Sequence, residues 1–275
     1  MNVEEKYEKL KEILKDLDSV AVAFSGGVDS AFLLYAAKEA LGDKAVAINA
    51  AAKFISEDER DDAILFCEKY GIRQLFYRAD MNSIPHFTEN PFDRCYHCKT
   101  ALFSAFLAIC EKEGIRYLAE GSNLDDEGDY RPGMKALAEL DIKSPLREAG
   151  FTKSEIREMS KKLGLPTADK PSAACLASRF VYGQQTSAER LEMVEKAERF
   201  LHGLGFTQLR VRIYEFTGLN SGLIARLEFL PDDMEKAMRD PVREDIVSEL
   251  KKTGFDYVTI DMQGFKSGSM NTFLN

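Results

Sequence analysis

The stretch AVAFSGGVDSAFLL, residues 21–34, constrains this chain more than any other. An apolar run ends at Phe24. Ser25, Gly26, Gly27, Val28, Asp29 and Ser30 turn the chain, and a helical stripe of Phe32, Leu33, Ala36, Ala37 and Leu41 follows at once. A buried strand that passes straight into a helix through a glycine pair needs a bend that side chains resist. Such a bend aims successive N–H groups at one point, and the helix start adds uncapped donors and the positive end of its dipole. The result is an anion cradle, with the Ser25 and Ser30 hydroxyls as further donors. The GxxxxGK[ST] spacing of a Walker loop is absent. The plainer alternative is a strand–turn–helix connection with Asp29 and Ser30 as cap residues.

The flanking sequence repeats this unit. Residues 3–17, 28–41, 57–70 and 96–113 carry helical periodicity, and SVAVAFS (19–25), KAVAINA (44–50), RQLFYRA (73–79) and RYLAEGS (116–122) read as short strands. Strands spaced by helices predict a parallel sheet with right-handed crossovers. The expectation is a doubly wound α/β domain over 1–170. The irregular segment LPTADKPSAACLASRFVYGQQTS (165–187) predicts an active-site linker over 171–187. Beyond it come a helix (188–203), strands 206–215 and 223–229, a helical region broken at Pro241, and a strand 256–262. Asp240 is the expected N-cap, with Pro241 first in the helix. This order predicts a smaller α+β domain over 188–275, with an antiparallel sheet, for substrate binding or oligomerisation.

Hydrophobic residues make up 45% and charged residues 30% of the chain, enough apolar material for a sizeable core. The net charge of -9 argues against coating nucleic acid, which needs a basic field. MNVEEKYEKLKEIL lacks the pattern of a signal peptide and no apolar run reaches membrane-spanning length, so a cytoplasmic protein without a membrane partner is expected. Five cysteines there point to packing, metal binding or catalysis rather than a disulfide framework. Cys67 and Cys110 fall on helical stripes and read as core. Cys95 and Cys98, in NPFDRCYHCK, form a CxxC that is redox-active, metal-binding or accidental, and a nearby helix start favours thiolate. Cys175, in PSAACLASR, lies off any packing stripe.

SGGVDS in this place resembles the PP-loop of the N-type ATP pyrophosphatases. The resemblance implies cleavage of ATP between its α and β phosphates, with AMP joined to a substrate oxygen. Amidases, ligases and thiolases share the loop, so it points to the activation step rather than the product. Further motifs stand in order: GSNLDDEGDYRPG (121–133), SPLREAGFTKSEIR (144–157), KPSAACLASRF (170–180), RVR (210–212) and GFKSGSMN (264–271). Together they resemble the LarE family, sulfur transferases that build the nickel-pincer nucleotide cofactor. The resemblance implies a substrate, pyridinium-3,5-biscarboxylic acid mononucleotide, whose carboxylates are adenylated and become thiocarboxylates. It implies a homo-oligomer, a hexamer among the forms, and Cys175 as the residue that handles sulfur.

Two chemistries fit that role. In one, Cys175 attacks the acyl-adenylate and gives up its own sulfur. In the other, Cys95, Cys98 and Cys175 hold a 4Fe-4S cluster with one iron open to sulfide, similar to some tRNA thiolases; this is the expected version, since the chain departs from a one-cysteine pattern. A structural zinc wants a fourth ligand, and His97 sits inside the CxxC, expected to point away. Arg210 and Arg212 alternate along a strand and share one face. The resemblance makes them substrate-phosphate ligands, with Lys266 where an arginine is expected. Arg179 stabilises the adenylate, lowers the Cys175 pKa or forms a structural ion pair. Asp125, Asp126, Asp129 and Arg131 crowd the loop after the fourth strand, beside the nucleotide. Asp29 is the candidate for magnesium. Glu215 and Glu228 carry no assigned role, and the sulfur donor is open. The rival readings are a tRNA thiolase, an amide synthetase without sulfur chemistry, and a nucleotide sensor.

Overall fold

Side-chain alternation along the short strands decides the layering of the first unit. In β1 (Val20–Ala23), Val20 and Val22 enter one buried cluster and Ala21 another; in β2 (Ala45–Ala51), Ala45 and Ala47 join the valines while Val46 and Ile48 join Ala21. Strands apolar on both faces must be covered twice. On the first face lie α1 (Val3–Asp16), α2 (Val28–Leu41), α3 (Glu57–Tyr70), α6 (Pro145–Ala149) and α7 (Lys153–Lys162). On the second lie α4 (Arg94–Glu113) and α5 (Pro132–Glu139), which pack Phe103, Phe106, Cys110 and Leu137 against the sheet. With β3 (Arg73–Arg78) and β4 (Tyr117–Ala119), the strand order is β3-β2-β1-β4, all parallel. This is the expected doubly wound sheet. The chain steps outward from β1 to β3 and then crosses back to set β4 on the other side of β1. That reversal makes the carboxyl ends of β1 and β4 the topological switch point, where sheets of this kind hold ligands.

The computed structural model describes residues 1–126, 132–171, 174–218, 221–266 and 268–270. They fall into two compact units, Met1–Pro85 with Asp93–Ala173, and His86–Phe92 with Ala174–Asn275. In the second, His86–Phe92 is tied to the chain after Cys175 by Gly183 N–H to Asn90 O (2.8 Å), Thr186 N–H to Thr88 O (2.8 Å) and Asn90 Nδ2 to Val181 O (2.6 Å). Its sheet comprises β5 (Leu209–Phe216), β6 (Gly222–Phe229) and β7 (Tyr257–Ile260). Leu191, Val194, Ala197 and Leu201 of α8 (Ala188–Gly203) are buried on the side that packs on β5.

The sheet is mixed rather than antiparallel. β5 and β6 pair antiparallel, but β6 and β7 pair parallel. The cause is the connection: α9 (Pro231–Met238) and α10 (Val242–Thr253) carry the chain back to the end where β6 began, so β7 runs the same way. The start of α10 also differs from expectation. Pro241 occupies the N-cap, while the Asp240 carboxylate pairs with Arg243 (2.9 Å) and so does not cap a backbone N–H. Among the described residues, no helix is long and apolar enough to cross a membrane.

Candidate active site

The loop after β1 starts from a fixed carbonyl. Phe24 N–H donates to Ile48 O (2.9 Å), prolonging the β1–β2 ladder, and buried Asn49 donates Nδ2 to Phe24 O (2.5 Å) while accepting from Gln74 (2.8 Å). Gly26 then takes φ +75°, and a Cβ there would stand 3.1 Å from Glu59 O. Both loop serines fold inward: Ser30 Oγ donates to Gly27 O (3.1 Å), lies 3.1 Å from Ser25 Oγ and accepts from Ser25 N–H (3.3 Å). Gly27 is the N-cap of α2 and gives it no side-chain cap, which leaves the first-turn donors without a cap among the described residues. The chain after β4 passes so close that a Cβ on Gly121 would stand 3.0 Å from Ser30 N and 3.1 Å from Asp29 C.

The acidic loop after β4 spends part of its carboxylates on its own fold. Asn123 N–H donates to Asp126 (3.0 Å), Asp125 N–H donates to Asn123 Oδ1 (2.9 Å), and Asn123 Nδ2 reaches Asp29 Oδ1 at 3.4 Å. Asp125 also accepts from the backbone N–H of Lys153 (2.8 Å). Asp129 and Arg131 lie outside the described residues. Two groups not singled out from the sequence reach the loop. Lys153 Nζ bonds the second oxygen of Asp29, and Lys170 Nζ bonds Gly26 O (3.1 Å) and Asp62 (2.8 Å). A signal for the first existed, because Thr152-x-x-Glu155 is a capping box that starts a helix at Lys153. Lys170 opens the KPSAACLASRF motif, but in that irregular stretch neither periodicity nor a cap marks its place.

Cys95 and Cys98 lie near the start of α4, three residues apart and so on one face, the first exposed and the second half-buried. His97 turns Nε2 toward Asp93 (3.3 Å). Cys67 and Cys110 are buried, and burial pushes their thiols up to about 12 and about 11, as suits packing residues. The CxxC belongs to the first unit and Cys175 to the second. Among the described residues, no three His, Cys, Asp or Glu side chains are gathered as for a metal ion.

Within the second unit, half-buried Cys175 opens a short turn, Leu176–Arg179, gripped by its own arginine. Arg179 donates to Ala174 O, Cys175 O (3.1 Å) and Ser178 Oγ (3.0 Å), and its other edge binds Glu198 through two bonds (3.0 and 2.8 Å). Glu198 also accepts Val211 N–H (2.9 Å), so α8 and β5 together hold the cysteine turn. Of the three roles open to Arg179, the structure displays the ion pair. Arg212 is likewise engaged: Glu228 takes it bidentately (3.0 and 2.9 Å), Ser178 O accepts a third bond (2.8 Å) and Ser269 Oγ a fourth (3.0 Å). Fully buried Glu228 also pairs with Arg226 (2.7 Å), which makes it a shared counter-ion. Arg210 differs from Arg212. It lies 5.0 Å from the Phe265 ring centroid, and burial, then the neighbouring Arg179 charge, push its guanidinium down to about 10. Lys266 is exposed and bonds Gln263 (3.2 Å), and Glu215 pairs with Arg190 (3.0 Å).

A family model described as NAD synthase matches residues 3–99. The chain is 35% identical over 272 residues to the pyridinium-3,5-bisthiocarboxylic acid mononucleotide synthase of Lactiplantibacillus plantarum, an alignment spanning 98% of this chain and 95% of that protein. It is 37% identical over 272 residues to an uncharacterized protein of Synechocystis sp., spanning 99% of each. A protein of Methanocaldococcus jannaschii is 29% identical over 95% of this chain and 98% of its own length.

Proposed function

The chain belongs to the LarE family of PP-loop enzymes, and on that premise we propose that it is an ATP-dependent sulfur transferase that turns the carboxylates of pyridinium-3,5-biscarboxylic acid mononucleotide into thiocarboxylates. The observation that carries the reading is the glycine-bent loop Ser25–Ser30, set at the switch point of the parallel sheet and opening an uncapped helix start. A substrate carboxylate oxygen attacks the α phosphorus of ATP. The bond to the β phosphate breaks, and pyrophosphate leaves with the electron pair. Fixed N–H donors stabilise that developing charge without reorganising. Asp29, whose carboxylate Lys153 and Asn123 hold in this structure, would be the loop's ligand to a magnesium ion on the phosphates, which would neutralise their charge.

The acyl-adenylate then meets sulfur at Cys175, which Arg179 fixes by the carbonyls of its turn. If Cys175 is the donor, its thiolate adds to the acyl carbon and AMP leaves. Loss of the Cα proton with cleavage of the Cβ–S bond releases the thiocarboxylate and leaves dehydroalanine, with no net redox change. Alternatively Cys95, Cys98 and Cys175 would hold an iron–sulfur cluster by their thiolates, which would carry externally supplied sulfide and spare Cys175. Arg210 takes the substrate phosphate, an anion that relieves its desolvated charge; Lys266 and Arg212, the latter held in this structure by Glu228, Ser178 and Ser269, are the further ligands the family membership implies. The same membership supports a homo-oligomer.

The test is protein purified without oxygen, assayed for pyrophosphate release with the mononucleotide and for iron and acid-labile sulfide, in the parent and in Cys95→Ala, Cys98→Ala and Cys175→Ala. Substrate-dependent pyrophosphate and a sulfur-bearing product are expected, with iron lost in each variant. Turnover that survives removal of all three cysteines sinks the sulfur reading. Absence of iron combined with dehydroalanine at position 175 assigns the sulfur to Cys175.

A further inference from the structure

One face of the second sheet is apolar and buried, with Val211 and Ile213 of β5 opposite Leu227 and Ala225 of β6. Alternation puts Arg210, Arg212, Arg226 and Glu228 on the other face. The register sets Arg212 directly opposite Arg226, and like charges so placed repel. Glu228 answers both. It accepts Nε and Nη2 of Arg212 (3.0 and 2.9 Å) and Nη2 of Arg226 (2.7 Å), so one carboxylate serves two guanidiniums.

The arginines of this unit are used in two ways. Arg179 and Arg212 each present Nε and Nη2 together to a buried glutamate, and their side chains are 5% and 6% exposed. That is how an arginine serves as a structural clip, with its paired donors spent on one carboxylate. Arg226 is 27% exposed. Its Nε has no hydrogen-bond partner among the described residues, and Nη1 reaches Asp261 only at 3.6 Å, too far for a hydrogen bond. The other oxygen of Asp261 accepts Gln263 N–H (2.9 Å), which commits that carboxylate to its own turn. The Arg226 guanidinium also lies 5.0 Å from the Tyr214 ring centroid, a contact that orients it without using its donors. An arginine that is oriented, partly exposed and short of acceptors suits a ligand that brings a carboxylate.

Resting on the sulfur-transfer reading above, we infer that Arg226 is a substrate-binding residue that reads the second carboxylate of the pyridinium ring, the one not being activated, at Nη1. The proposed substrate has two carboxylates, meta to each other, and one phosphate. With the phosphate on Arg210, Arg226 is the diagonal neighbour on the adjacent strand and shares its face. Arg212, opposite Arg226, donates to Ser178 O in the turn that Cys175 opens. The face that holds the second carboxylate is thereby tied to the turn that brings sulfur to the first. A ring lacking the second carboxylate leaves Arg226 short of its anion, so this residue selects a dicarboxylate over a monocarboxylate.

Calorimetric titration tests this on the parent, Arg226→Met and Arg226→Lys. The ligands are pyridinium-3,5-biscarboxylic acid mononucleotide and nicotinic acid mononucleotide, which keeps the ring, ribose and phosphate but has a single carboxylate. One charge-assisted bond predicts that the parent binds the dicarboxylate about 10- to 100-fold more tightly than the monocarboxylate. In Arg226→Met the preference should fall to within about threefold, through weaker binding of the dicarboxylate alone, and Arg226→Lys should keep part of it. Arg212 still pairs with Glu228 in these variants, so no buried carboxylate is stranded. Should the methionine variant nonetheless fail to fold, the parent and the lysine variant decide. The inference is overturned if the parent binds the two mononucleotides equally, if Arg226→Met keeps the parent's preference, if it weakens both ligands alike, or if Arg226→Lys discriminates as sharply as the parent. A parent that binds neither mononucleotide overturns the substrate reading as well, whereas a preference that survives in Arg226→Met overturns only the role of Arg226.

Discussion

Gly26 and Glu198 each bear on one half of the proposed reaction. Gly26 holds φ +75° with Glu59 O 3.1 Å from where a Cβ would sit, so Gly26→Ala has no relaxed place for its methyl. Left-handed backbone costs about 1–2 kcal/mol at a non-glycine residue, and the loop is expected to open rather than bear it. ATP affinity should fall at least about tenfold in a titration, and a variant binding as the parent does would show that the bend is not required. Glu198 is the buried partner of Arg179, so Glu198→Ala strands a guanidinium and the Val211 N–H. The expected cost is about 3–5 kcal/mol by urea unfolding of the second unit, with faster alkylation of Cys175 as its turn loosens. A loss below about 1 kcal/mol would class the pair with surface ion pairs. The loop Ser25–Ser30 is legible in the sequence because its parts are contiguous and its conformational demand falls on named glycines. Arg179 with Glu198, and Arg212 with Glu228, are not: helix packing and strand register bring together residues that no local pattern links.

α7 is a short helix that its cap, rather than its periodicity, defines. Its four-residue capping signal is present in the sequence, but α5 to α7 are too short, at 8, 5 and 10 residues, for periodicity to mark them. Thr152 accepts Glu155 N–H, and Glu155 returns a bond to Thr152 N–H (2.9 Å) while binding Lys6 (2.7 Å). Thr152→Ala should cost about 1 kcal/mol. Hydrogen exchange should locate the loss in the first turn of α7, and protection unchanged there would assign the helix start to its packing alone. Burial works to raise the Glu155 pKa, but the Lys6 and Thr152 bonds outweigh it and hold the carboxyl below the usual range. Its contribution is therefore complete above the unfolded pKa and lost as pH falls through the lower folded value, so the Thr152→Ala difference should shrink in acid. The mixed second sheet makes a parallel point. The sequence order α-β-β-α-β is the same for either direction of β7; the direction is set by how α9 and α10 return the chain, which periodicity does not encode.

Across the whole molecule, the proposed ligands divide between cores that close separately. The first unit packs both faces of its parallel sheet, and the second packs α8 on β5 and α10 on β7 of its own sheet. The join escapes linear reading, because the backbone bonds and the Asn90 and Thr186 side-chain bonds that attach His86–Phe92 to the second unit link residues 91 to 99 positions apart that no local pattern connects. Ligand linkage makes the division measurable. A ligand at 100 times its Kd stabilises what it binds by about 2.7 kcal/mol, and hydrogen exchange reports where. ATP alone should protect residues 24–31 and the start of α7, leaving β5 and β6 exchanging as before. The mononucleotide alone should protect the Leu176–Arg179 turn and β5 around Arg210. ATP protecting β5 and β6 as strongly as its own loop would mean that the second unit takes part in nucleotide binding, and the division of labour between the units would have to be redrawn.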